Sequence, residues 1–91
     1  MPTNLKEAVE DLTPPVVLRL RFMECMLRHY GLFSRFLLVD YFGISAPQAS
    51  RDIAQYKLLA DGNMLYDLKH RRYVISAEFV PLWPSEDAEE E

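Results

Sequence analysis

The sequence predicts a mainly α-helical domain completed by a small β-hairpin, in the chain order of a winged helix-turn-helix. Three observations carry that reading. Apolar residues recur at helical spacing in three successive stretches, each opened by a good N-cap residue and closed by a glycine or a turn. The second and third stretches are separated only by Gly43-Ile44-Ser45, which has the length and residue types of a helix-turn-helix turn. Two short β-type segments then follow, joined by the polar, basic run DLKHRR.

Taken in order, Asn4 with Glu7 fits a capping box, and Leu5, Ala8, Val9 and Leu12 recur at helical spacing, so residues 1–13 read as a short helix or arm. Thr13 caps the next helix, with Pro14 at its first position, where a missing N–H costs nothing. Val16, Leu20, Met23, Leu27 and Tyr30 draw a core-facing stripe along that helix. Arg21, Glu24 and Arg28 fall away from the stripe, Glu24 and Arg28 as an i,i+4 pair. Gly31 ends the helix. Ser34 caps a short second helix over Arg35–Phe42, closed by Gly43. Ser45 caps the third, which has Pro47 in its first turn and Ala49, Ile53, Tyr56 and Ala60 as its buried stripe. Asp61-Gly62-Asn63 is turn chemistry. Met64–Tyr66 and Tyr73–Ile75 read as a hairpin, and Pro81 and Pro84 close a domain spanning 14–84. Residues 85–91 are either an acidic tail or the start of a following helix, with Ser85 as N-cap and acids in the first turn.

Bulk properties narrow the function classes. At 49% hydrophobic and 12% aromatic, the chain is too apolar to stay disordered, and 91 residues suffice for one small core. Charges interrupt every apolar run, which excludes a bilayer span, and MPTNLKEAVEDL lacks the basic end and apolar centre of a signal peptide. The single Cys25 excludes an internal disulfide framework and suits a reducing cytoplasm. The net charge of −4 is unevenly placed: residues 14–84 carry nine basic and six acidic side chains, whereas 85–91 carry five acids. Binding depends on the local field of a patch, so the acidic total does not exclude nucleic acid.

The third helix bears the most informative surface. Gln48, Arg51 and Gln55 recur at i, i+3, i+7 on the face opposite Ala49 and Ile53, and Ser50 borders that face. A DNA major groove admits one α-helix, whose first turns meet the base edges. Glutamine pairs with adenine and arginine with guanine through two hydrogen bonds each, while serine bonds to bases or phosphate. The helix start offers free N–H groups to a phosphate, and small Ala46 and Ala49 permit close approach. Lys69, His70, Arg71 and Arg72 at the hairpin tip suit a flanking backbone or minor groove. The bland reading of the same residues is a solvated helix face and a soluble basic loop, and some winged helices only dock proteins.

Several of these stretches also resemble a known family. FGISAPQASRDIAQY, NMLYDLKHRRYVIS and FVPLWP are similar to the N-terminal winged helix of WYL-domain transcriptional regulators, closest to the BrxR/CapW-type repressors of bacterial phage-defence operons. The likeness runs from about Arg19 to Pro84, and its most specific pieces are Phe42-Gly43-Ile44-Ser45, Pro47-Gln48-Ala49-Ser50, Tyr66-Asp67, Tyr73-Val74 and Phe79-Val80-Pro81. The resemblance implies a homodimeric repressor on double-stranded DNA with a palindromic operator, whose half-sites lie ~34 Å apart or a multiple of that. It implies groove reading by Ser45, Gln48, Ser50 and Arg51, and backbone contact by Lys69 to Arg72. Family members continue into a WYL domain, thought to sense a ligand, and a dimerisation segment. A small-molecule or nucleotide effector is expected only if such a domain follows. The ending PSEDAEEE fits the N-terminal part of a longer regulator, and a complete small protein with an acidic tail is the competing reading.

Other chemistry is set aside. Cys25 and His29 have a spacing seen in metal sites, but structural zinc takes four ligands, and Cys25 reads more simply as a small core residue beside Leu18 and Phe22. Three glycines form no phosphate-cradling loop, and no nucleophile, base and orienting partner assemble, so neither an enzyme nor a cofactor is expected. Asp52 reads as an ion-pair or backbone-orienting residue. Phe33, Phe36, Tyr41 and Phe42 fit a packed core better than a stacking platform for single strands. Trp83 covers the underside of the hairpin or marks a dimer contact. A small adaptor whose acidic tail imitates DNA is the remaining alternative to a DNA binder.

Overall fold

The computed structural model describes residues 9–84. They form α1 (Pro14–Tyr30), β1 (Leu32–Phe33), α2 (Arg35–Phe42), α3 (Ala46–Leu59), β2 (Met64–Asp67) and β3 (Arg72–Ile75). The Asn4–Glu7 capping box and the Ser85 helix start lie outside these residues. The described end of the arm is helical at Val9 and Glu10.

Backbone chemistry sets each boundary. Gly31 closes α1 at φ 81°, a left-handed value that a side chain disfavours, and its N–H donates to the Leu27 and Met26 carbonyls. Ser34 and Ser45 cap α2 and α3 by accepting from the N–H groups of Leu37 and Gln48, each at 3.1 Å. Thr13 occupies the N-cap position of α1 in extended conformation, but its side chain accepts no capping bond. Pro14, whose missing N–H would otherwise need a partner, starts that helix in its place. Gly43, also left-handed at φ 68°, turns the chain between α2 and α3, and Ile44 packs against the core from within the turn.

Leu20, Met23 and Leu27 of α1, Leu38 of α2 and Ala49, Ile53 and Tyr56 of α3 meet in one core. The α3 stripe is therefore buried as its spacing predicts. The α1 stripe is buried at its centre only: Val16 is half-buried and Tyr30, in the last turn beyond the core, is 71% exposed. Phe36 and Tyr41 are likewise exposed, although the short aromatic-rich helix reads as core from sequence. Eight residues present only about two turns to the core, and Leu38 fills that contact. Cys25 is exposed as well, contrary to its reading as a core residue.

Two features correct the sequence reading more deeply. The wing is a three-stranded antiparallel sheet of order β1-β3-β2, because Leu32 and Phe33, between Gly31 and Ser34, pair with Val74 and Tyr73. A two-residue strand has no periodicity to detect. Glu24, which falls away from the core-facing stripe of α1, is nevertheless only 2% exposed. Its carboxylate accepts from the Tyr56 hydroxyl at 2.9 Å and from the N–H groups of Leu82 at 2.6 Å and Trp83 at 3.0 Å. Trp83 consequently packs on α1, where Arg21 lies 5.8 Å over its ring, and not beneath the hairpin.

Candidate nucleic-acid interface

The outer ridge of α3 is formed by Pro47, Arg51, Ala54 and Leu58, all exposed at i, i+4, i+7, i+11. Its polar part is confined to the first two turns, because Ala54 and Leu58 make the second half apolar. Gln48 and Gln55 are half-buried on one flank, and Ser50 is half-buried on the other. All of these residues lie on α3 as the sequence predicts, but the structure separates Ser50 from the Gln48–Gln55 side.

On the first flank the side chains are linked. Asp52, 2% exposed, receives the guanidinium of Arg19 from α1 in an ion pair, with Arg19 Nη2 donating to Oδ1 at 3.3 Å. Gln48 Nε2 donates to the same Oδ1 at 2.9 Å, and Gln48 Oε1 accepts from Arg51 Nη2 at 2.9 Å. A run of hydrogen bonds therefore leads from α1 to Arg51 on the outer ridge of α3. Asp52 is an ion-pair residue as its charge predicts, but its partner is Arg19, 33 positions away, and not the adjacent Arg51.

On the second flank, Ser50 faces a cleft of about 460 Å³ between α3, the start of α2 and the wing. Arg35 Nη1 donates to Ser50 Oγ at 3.1 Å. Arg71 reaches the cleft from the wing, and Ser34, Ala46, Tyr66 and Tyr73 also line it. Arg71 has φ 54°, the one left-handed non-glycine residue among those described. Burial pushes the Tyr73 hydroxyl above its ordinary pKa, and proximity to Tyr66 adds to the shift. Arg35 is absent from the sequence reading of the site. One signal was available: a cation at the first position of a helix sits against the positive dipole end and needs another partner to explain it.

The wing turn is organised by Asp67. Its Oδ2 lies 2.8 Å from His70 Nδ1 and accepts from Arg72 Nε at 3.1 Å, and its Oδ1 accepts from the His70 N–H at 3.3 Å. The His70 hydrogen bond, reinforced by Arg72, holds the Asp67 carboxyl below its usual range. Of the four basic wing residues, His70 and Arg72 are thus braced inside the turn, Arg71 lines the cleft, and Lys69 stands exposed. Among the described residues no group of three His, Cys, Asp or Glu side chains is placed to hold a metal ion, and Cys25 and His29 line a separate, aromatic cleft on α1.

Residues 15–91 match the family described as the BrxR transcriptional regulator winged helix-turn-helix domain. The chain belongs to this family. Relatives of the BrxR winged helix include "DNA-binding transcriptional repressor CapW" of Pseudomonas aeruginosa, 44% identical over 71 residues, covering 78% of this chain and 24% of the relative. The protein of that name from Stenotrophomonas maltophilia is 40% identical over 70 residues, covering 77% and 23%. That from Escherichia coli is 41% identical over 71 residues, covering 78% and 24%. The chain therefore spans about a quarter of the length of these curated relatives.

Proposed function

We propose that this BrxR-type winged helix is the DNA-reading module of a bacterial transcriptional repressor, with α3 in the major groove and the wing on the adjacent backbone. The observation that carries the reading is the convergence of three elements on one surface. Arg51 stands exposed on the outer ridge of α3, and its neighbour Ser50 lines a cleft to which α2 contributes Arg35 and the wing contributes Arg71. Phosphates fix register while base edges supply sequence, so the module needs both kinds of cation in a fixed relation. Here Ser45, Gln48, Arg51 and Gln55 lie at the groove, and Arg35, Ser50, Lys69 and Arg71 face the backbone. His70 and Arg72 shape the turn that presents the last two. Two copies on a palindromic operator, as a homodimer controlling a phage-defence operon, complete the proposal. It is supported by the names of the repressor relatives and by the likeness to the BrxR/CapW type.

The test is fluorescence anisotropy of the 91-residue chain with the duplex upstream of its own gene, at two salt concentrations, with scrambled DNA alongside. Binding that favours the upstream duplex and weakens with salt, with a logarithmic slope of about −0.9 per neutralised phosphate, is expected. Absence of binding at low salt would sink the reading in favour of a protein-docking winged helix.

A further inference from the structure

We propose that Gln48 does not read a base of its own. It is a positioning residue that, with Asp52 and Arg19, aims Arg51 at a single guanine. The inference rests on the DNA-reading function proposed above and assigns its specificity to one side chain.

Asp52 carries a charge at 2% exposure, which is tolerable only because Arg19 neutralises it and its oxygens are hydrogen-bonded. Its carboxylate accepts and cannot donate, so the group that Gln48 turns toward it must be the amide NH2. That contact fixes the otherwise ambiguous amide: Oε1 has to face the other way, where it accepts from Arg51 Nη2 at 2.9 Å. Gln48 thereby spends one N–H inward and turns its carbonyl to Arg51. One of its two N–H groups and one lone pair of its carbonyl are thus engaged within the protein, which ties down the amide that adenine recognition would need to present freely. Arg51 loses only one of its five N–H groups to Gln48 and is exposed on the ridge of the helix, so its fork remains able to span guanine O6 and N7. Tethering at one edge also restricts the orientation of a long side chain before binding, which reduces the ordering cost on DNA.

Selection by the unmodified chain from a pool of randomised duplexes gives the preferred site. Relative affinities are then measured for every single base-pair change in that site, for the parent and for Gln48→Ala, Arg51→Ala, Asp52→Asn and the Gln48→Ala/Arg51→Ala pair. The parent is expected to discriminate roughly tenfold or more at the Arg51 position, as a bidentate arginine–guanine contact does. Arg51→Ala flattens that position. Gln48→Ala and Asp52→Asn partly flatten the same position and no other, and the double variant is no worse than Arg51→Ala alone. If Gln48→Ala relaxes a different base pair, Gln48 is an independent reader and the inference is overturned. It is equally overturned if Gln48→Ala leaves every position unchanged. Should Asp52→Asn fail to fold, the Gln48 arms decide. A parent chain that binds DNA without selecting any sequence overturns the specificity assignment, and one that binds no DNA overturns the proposed function with it.

Discussion

Glu24 and Tyr56 are joined across the core by a 2.9 Å hydrogen bond, although 32 positions separate them in the chain. The Tyr56 hydroxyl donates to Glu24 Oε2 and accepts from Asn63 Nδ2 at 3.1 Å, while Asn63 exchanges hydrogen bonds with the backbone of Val80. One buried polar chain therefore ties α1, α3, the turn entering the wing and the segment that ends at Trp83. Glu24→Ala strands the Tyr56 donor and the N–H groups of Leu82 and Trp83, so a loss of about 2–4 kcal/mol is expected. Tyr56→Phe, which removes one group and leaves the carboxylate with two donors, is expected to cost about half as much. Urea unfolding of the three proteins checks the order, and a Glu24→Ala domain as stable as its parent contradicts the role given to this network.

The same burial makes alkaline stability a test. Desolvation, followed by the neighbouring Glu24 charge, pushes the Tyr56 hydroxyl well above its ordinary value. A group whose folded pKa is raised contributes stability that is fully present below its unfolded value, near 10, and is lost as pH rises toward the folded one. Above about pH 10 the parent is thus expected to lose stability faster than Tyr56→Phe. Parallel decline of the two proteins would place the alkaline sensitivity elsewhere.

At acid pH the wing responds instead. Asp67 is held below the usual carboxylate range by the His70 hydrogen bond, with help from Arg72. The bracing of the turn is therefore complete above the ordinary carboxylate pKa and is lost as pH falls through the depressed value. Amide exchange or NMR shifts at Lys69 and His70 should report loosening in that window, and Asp67→Asn should show the loosened turn already at neutral pH.

Arg71 offers a split between stability and binding. Its left-handed backbone suits glycine, so Arg71→Gly is expected to raise stability by up to about 1 kcal/mol while weakening all DNA sequences alike. A thermal melt and the salt titration read the two effects separately. A selective loss at one base position would show that Arg71 reads sequence.

Arg35 and Arg51 should behave differently. Arg51→Ala is expected to cost about 1–3 kcal/mol at one cognate base pair. Arg35→Ala should lower affinity for operator and scrambled duplex equally and make the salt slope shallower by about one. Unchanged non-specific binding in Arg35→Ala would remove the cleft between α2, α3 and the wing from the interface.

The sequence by itself determined the three helices, the two hairpin strands and their order, because the information for these is local. Glycines at 31 and 43 and serines at 34 and 45 bound the helices through backbone conformation and hydrogen bonds within one turn. The α3 stripe of Ala49, Ile53, Tyr56 and Ala60 declares its buried face through a period that any helix must have. The basic residues of the hairpin were legible for the same reason. Tertiary structure alone decided the non-local partnerships: β1 with β3, Glu24 with Tyr56, Arg19 with Asp52, and Arg35 with Ser50. A charged residue such as Glu24 or Asp52 is buried only when distant donors converge on it, and no periodicity along one helix records what another helix brings. That same convergence turned a row of polar residues on α3 into an anchored arginine on one side and a shared basic cleft on the other.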